Sequence, residues 1–296
     1  MALFESRTFT TSQPGPRLLI TGGVHGDEFE PMAAIRCLAE ELPTALTRGS
    51  VTLVPVVNVG AFRRGHRTGD DGLDLARTCP GRADGSITEQ VAFELSQLIQ
   101  KATHYIDLHT GGTRLKVLPL AGYILHADPL VLAAQRQMAR VFGLPIAWGT
   151  DPSFNGRSLS VARDANIPAI YCEYEGGAAC NPAGITAYVH GCKNVLASLQ
   201  MISPVEHITS LDQIVVEDDR PGAGHMQINH PSPVEGFFEP AVALGDDVET
   251  AALLGTVVDV FGTHKHEIRA GYAGKVIVLH TFSRIDANTS VAVLLR

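Results

Sequence analysis

Basic clusters, long apolar runs and paired cysteines are all missing from this chain. Its 296 residues contain no Lys/Arg run and no basic helix face, and 31 acids against 23 bases give a net charge of -8. Neither nucleic acid nor an anionic membrane is therefore an expected partner. No apolar stretch reaches the ~18 residues that a membrane-spanning helix needs. The opening segment MALFESRTFTTSQPGPRLLI places an acid and scattered polar groups where a signal peptide would carry its apolar run. Cysteine occurs five times, at 37, 79, 172, 180 and 192, an odd count with no CxxC pair. Reduced thiols in a cytoplasmic protein are expected, not a disulfide framework. HExxH and Walker A segments are absent, as are internal repeats and low-complexity tracts.

What remains is 45% hydrophobic and 18% charged. That is the profile of a folded globular protein, long enough for one large core or a core plus a smaller domain. The first two-thirds alternates strand-like and helix-like segments. RLLIT (17–21), VTLVPVVN (51–58), HYIDLH (104–109) and IPAIYCE (167–173) read as strands. A helix is expected from about Glu28 to Leu42, with Pro31 tolerated in its first turn. Ser86 and Glu89 fit a capping box ahead of an apolar face of Val91, Leu95, Leu98 and Ile99. Asp128-Pro129 opens a helix that Gly143 closes, and Asn181-Pro182 opens another. This alternation predicts an α/β domain with a parallel or mixed sheet flanked by helices. Helical periodicity stops near residue 205. Short strands near 234–243, 252–261, 274–282 and 290–295 predict a small all-β unit, giving domains at 1–204 and 205–296.

In GGVHGDE (22–28), His25 and Glu28 are three apart and project to one side of a turn entering a helix. DLHTG (107–111) adds His109 at a strand end, with Asp107 nearby as a partner for its imidazole. Two imidazoles and a carboxylate form the His2Glu set of a catalytic zinc site. His25, His109 and Glu173 each fall at or after a strand's carboxyl end, so three strands aim at one rim. A zinc hydrolase also needs a carboxylate base. Glu173 and Glu175, two apart on one strand, both qualify by periodicity.

GGVHGDE, NVGAFRRGHR with DLAR, DLHTG and EYEGG, in this order and spacing over roughly residues 15–200, resemble the succinylglutamate desuccinylase/aspartoacylase family. That family belongs to the zinc carboxypeptidase superfamily. The resemblance implies a zinc-carboxypeptidase-like catalytic domain and a C-terminal β domain similar to a lipoyl or biotinyl barrel. No Met-Lys-Met-type tetrad is present, so no covalent cofactor is expected. The resemblance places the base at Glu173, assigns carbonyl polarisation to Arg67, and makes Arg77 the arginine of an Asn-Arg pair that grips a substrate carboxylate. Here Ala76 stands where that asparagine would be, which weakens the grip. Asn155 and Arg157, in SFNGRSL, are further candidates for substrate contact, whereas Arg63 and Arg64 are expected on the surface. Cys172 reads as a buried strand cysteine, not a nucleophile.

Together these features predict an amidohydrolase with one zinc ion per chain. It would remove an acyl group from an N-acyl amino acid or related small amide, and self-association into a homo-oligomer is compatible with the sequence. A metallocarboxypeptidase on the same site is the alternative, and a non-catalytic metal-binding protein of this fold is the second.

Overall fold

The computed structural model describes residues 3–204, 212–226 and 229–296. In chain order the elements are β1 (Arg7–Thr10), β2 (Arg17–Thr21), α1 (Phe29–Ala45), β3 (Ser50–Val54), α2 (Val59–Arg64), a 3-10 turn (Leu75–Arg77), α3 (Ile87–Lys101), β4 (His104–His109), β5 (Leu115–Ile124), α4 (Pro129–Phe142), β6 (Ile146–Thr150), α5 (Ser158–Asp164), β7 (Ala169–Gly176) and α6 (Pro182–Ser198). After them come β8 (Ile214–Glu217), β9 (Gly236–Pro240), β10 (Asp247–Val248), β11 (Leu253–Val258), β12 (Lys265–Arg269), β13 (Gly274–His280), β14 (Arg284–Ile285) and β15 (Ala292–Leu295).

The main sheet runs β1-β3-β2-β4-β7-β5, and β6 continues it beyond β5. β3, β2, β4 and β7 are parallel neighbours, whereas β5 is antiparallel to β7, so the sheet is mixed. Its central strands are covered on both faces and read as near-continuous apolar runs. Leu18 and Ile20 face the layer of α1, α4 and α6, while Leu19 faces that of α3 and α5.

The expected caps are present. Asp128 Oδ1 accepts from Leu130 N at 2.8 Å, Asn181 Oδ1 from Ala183 N at 2.9 Å, and Glu89 Oε2 from Ser86 N at 2.7 Å. Gly143 ends α4 at φ 87°, a left-handed turn that glycine adopts without strain. β3 stops at Val54, short of the expected Asn58, because Pro55 has no N–H for the ladder. α1 runs on past Leu42 and carries Pro43 inside it.

Every element among the described residues after 212 is a strand. β9, β11, β12 and β14 form a four-stranded sheet. The other C-terminal strands join the main one: β13 pairs with β5, and β8 lies parallel to β6. Val117, Leu120, Ile146 and Trp148 therefore share an apolar cluster with Ile277, Val278, Val293 and Leu295. The boundary expected at 204/205 falls against residues outside those described. No described helix is long and apolar enough to cross a membrane.

Candidate active site

β2, β4 and β7 lie side by side and parallel, so their carboxyl ends open on one rim. Past β2 the chain turns at Gly22-Gly23, presents His25, and enters α1 with Glu28 as its N-cap residue. His109 ends β4 directly opposite Glu173 of β7. The ligand atoms of His25, Glu28 and His109 come within 4.8 Å of one another. His25 Nδ1 stands 2.6 Å from Glu28 Oε1, and His109 Nδ1 stands 2.9 Å from Glu28 Oε2. Both imidazoles thus turn Nδ1 toward the same carboxylate.

Each outward nitrogen meets an aspartate: His25 Nε2 lies 3.1 Å from Asp74 Oδ1, and His109 Nε2 lies 3.1 Å from Asp107 Oδ2. Such carboxylate partners fix the ring and leave the other nitrogen to bind a metal. Asp107 is itself held by the Thr21 and Ser158 hydroxyls, and the Tyr188 hydroxyl donates to the His109 carbonyl. Burial alone would raise the Glu28 carboxyl, but His25 and His109 outweigh it and hold it well below the usual range.

Arg67 is positioned through Asp74, with Nε 3.0 Å and Nη2 2.9 Å from Oδ2. One aspartate therefore orients both the His25 imidazole and the Arg67 guanidinium. Glu173 faces the same pocket, and its Oε2 has no partner among the described residues. Burial pushes its carboxyl up to about 8, with Glu28 reinforcing and His109 and Arg67 opposing. Glu175 turns away: its Oε2 accepts from Asn181 Nδ2 at 3.1 Å.

Arg77 and Arg157 line the pocket with Arg67, and Ala76, Ile124, Leu159 and Met226 add an apolar wall. Burial and the Arg157 charge bring Arg77 down to about 10. Burial, Arg77 and Arg157 also depress the nearby His225 to about 4. This region is strongly cationic and suits an anionic group.

Asn155 does not join this lining. It is exposed, and its amide oxygen accepts from Arg163 Nη2 at 2.8 Å; Arg163 also ties down the Phe154 carbonyl. Cys172 is fully buried, and burial raises its thiol well above the usual range. The described cysteines are all free. Asp74, Ser158 and Tyr171 also stand at this candidate site, and sequence reasoning left them unassigned. Asp74 carried a signal as the first residue of the DLAR motif, and Tyr171 because it shares a strand face with Glu173 two residues on.

The Succinylglutamate desuccinylase/Aspartoacylase catalytic domain profile matches residues 14–199. The N-alpha-acetyl-L-2,4-diaminobutyric acid deacetylase of Halomonas elongata is 29% identical over 290 residues, covering 95% of this chain and 82% of that protein. The product-bound structure of the ectoine utilization protein EutE (DoeB) from Ruegeria pomeroyi superposes with a TM-score of 0.88 at 28% identity, over 98% of this chain and 87% of that one. The succinylglutamatedesuccinylase/aspartoacylase structure from Rhodobacter sphaeroides gives 0.86 at 26% identity, over 98% and 88%. The chain belongs to the succinylglutamate desuccinylase/aspartoacylase family.

Proposed function

We propose that this protein is a zinc-dependent amidohydrolase that removes the acyl group from an N-acyl amino acid or a related small amide. The observation that carries this reading is the convergence of His25, Glu28 and His109 beside Glu173 and three arginines. The donor set fits zinc: two imidazole nitrogens and one carboxylate, with both rings braced by aspartates. When bound, such an ion polarises an amide carbonyl and lowers the pKa of water. Glu173 takes a proton from the attacking water and returns it to the leaving nitrogen. The water oxygen ends on the acyl carbon as the C–N bond breaks. Arg67, fixed by Asp74, donates to the developing oxyanion. Arg77 and Arg157 face the carboxylate of the amino acid. The deacetylase activity in the name of the Halomonas elongata relative supports the same reaction class.

The test is hydrolysis of a panel of N-acetyl and N-succinyl amino acids and of dipeptides, with metal content measured alongside. Purified protein should hold about one zinc per chain, cleave N-acyl amino acids, lose activity to a chelator and regain it with zinc. His25→Ala and His109→Ala should each lose tight binding. Stoichiometric zinc in both variants, or cleavage confined to dipeptides of α-amino acids, would overturn the reading.

A further inference from the structure

The pocket holding Glu173 is small, about 80 Å³, against the ~300–1,000 Å³ of ordinary ligand pockets. A substrate seated there must extend elsewhere. On the other side of Arg67 lies a larger cleft of about 530 Å³, and Arg67 lines both. Its walls come from four places: the loop at Asp27, the segment from Gly65 to Thr68, the turn after β4 at Gly112–Arg114, and the C-terminal segment from His280 to Ser290.

Two buried polar atoms on these walls have no partner among the described residues. Asp27 is only 8% exposed; its Oδ2 accepts from Thr113 N at 2.8 Å, and its Oδ1 is unmatched. His280 is fully buried, with Nδ1 unmatched. Its Nε2 lies 3.3 Å from the Arg284 carbonyl, which can only accept, so Nε2 carries the proton. Nδ1 of the neutral ring is then an acceptor as well. Both arginines of the cleft already have carboxylate partners, Arg67 with Asp74 and Arg114 with Asp286 at 2.7 Å. Unmatched buried acceptors are costly, and a ligand that brings donors relieves that cost.

We infer that this cleft is the acyl-side subsite and accepts an acyl chain ending in an ammonium group. The inference rests on the deacylase reading. If Arg77 and Arg157 hold the amino acid carboxylate, the part of the substrate that crosses Arg67 is the acyl group. An ammonium supplies three donors and one positive charge, the complement of Asp27 Oδ1 and His280 Nδ1. The reaction is the same hydrolysis, with the ammonium chain leaving on the carboxylic acid product.

The experiment compares kcat/KM for one amino acid carrying an N-acetyl, an N-succinyl or an N-β-alanyl group. The last two differ only in ending in a carboxylate or an ammonium. The β-alanyl compound should exceed the succinyl one by tenfold or more. Asp27→Asn should cut that ratio at least tenfold, with zinc content measured to show that the neighbouring ligands are intact. Thr289→Lys acts from the C-terminal segment of the cleft, far in sequence from His25 and Glu28, and should reverse the preference. Cleavage of the N-acetyl compound with no ammonium preference, or a ratio unmoved by both variants, would overturn this subsite alone. Failure of all three compounds in zinc-loaded protein would overturn the deacylase reading and this one with it.

Discussion

Glu173 and Glu175 are two apart on β7, and an ideal strand would point both the same way. The backbone prevents it. Glu175 has φ 45°, and the pairing with β5 shifts register between Val117 and Leu120. The first carboxylate therefore stays in the pocket, while the second swings to Asn181. Glu173→Gln should keep zinc and fold but lower kcat by at least ~10²-fold, the scale of a lost general base. Its pH profile adds a second readout. A base must be ionised, so kcat/KM should rise as pH climbs through a carboxyl that burial has raised, and Gln should remove that limb. Glu175→Gln should stay near wild-type activity and cost about 0.5–1.5 kcal/mol, one weakened hydrogen bond. The reverse pattern would move the base to Glu175.

Among the elements, the loop carrying His25 and Glu28 depends on how closely α2 packs against it. A Cβ at Gly26 would lie 2.0 Å from the Ala61 backbone carbon, and Gly26 N donates to the His66 carbonyl at 3.0 Å. The loop carrying His25 and the segment leading to Arg67 are thus set against each other without a side chain between them. Gly26→Ala must push α2 away, because the obstacle is backbone and cannot rotate aside. Overpacking of this kind costs about 1–3 kcal/mol, and Arg67 would move with the helix. A lower Tm and a lower kcat/KM are expected together. Wild-type values for both would mean that α2 yields freely and does not hold the site.

Across the whole molecule, the C-terminal strands complete the main sheet. β13 pairs with β5, β8 pairs with β6, and Ile277, Val278, Val293 and Leu295 cover Val117, Leu120, Ile146 and Trp148. A fragment of residues 1–204 would expose two strand edges and that apolar cluster, both aggregation hazards. It should lack a cooperative thermal transition and bind a hydrophobic dye. A fragment that unfolds cooperatively and retains zinc would show that the first 204 residues hold their own core.

Features that depend on short spans of chain were legible before any fold was known. The strand–helix alternation follows from periodicity and caps, and the His25–Glu28 pair from its three-residue spacing at the entry to α1. His109 was legible because it ends an apolar strand. Tertiary structure decided what depends on distant residues meeting. Asp74 reaches His25 across 49 positions and Glu28 meets His109 across 81, and no local pattern encodes either contact. The separation of Glu173 from Glu175 needed a left-handed residue and a bulge set by β5. Asn155 looked available in sequence, but Arg163 ties its amide outside the pocket. The C-terminal strands read as a small all-β domain packed on the first, because alternation reports only that one face is buried. Which sheet they join was fixed by the open edges of β5 and β6, whose backbone groups need partners that only the folded chain brings to them.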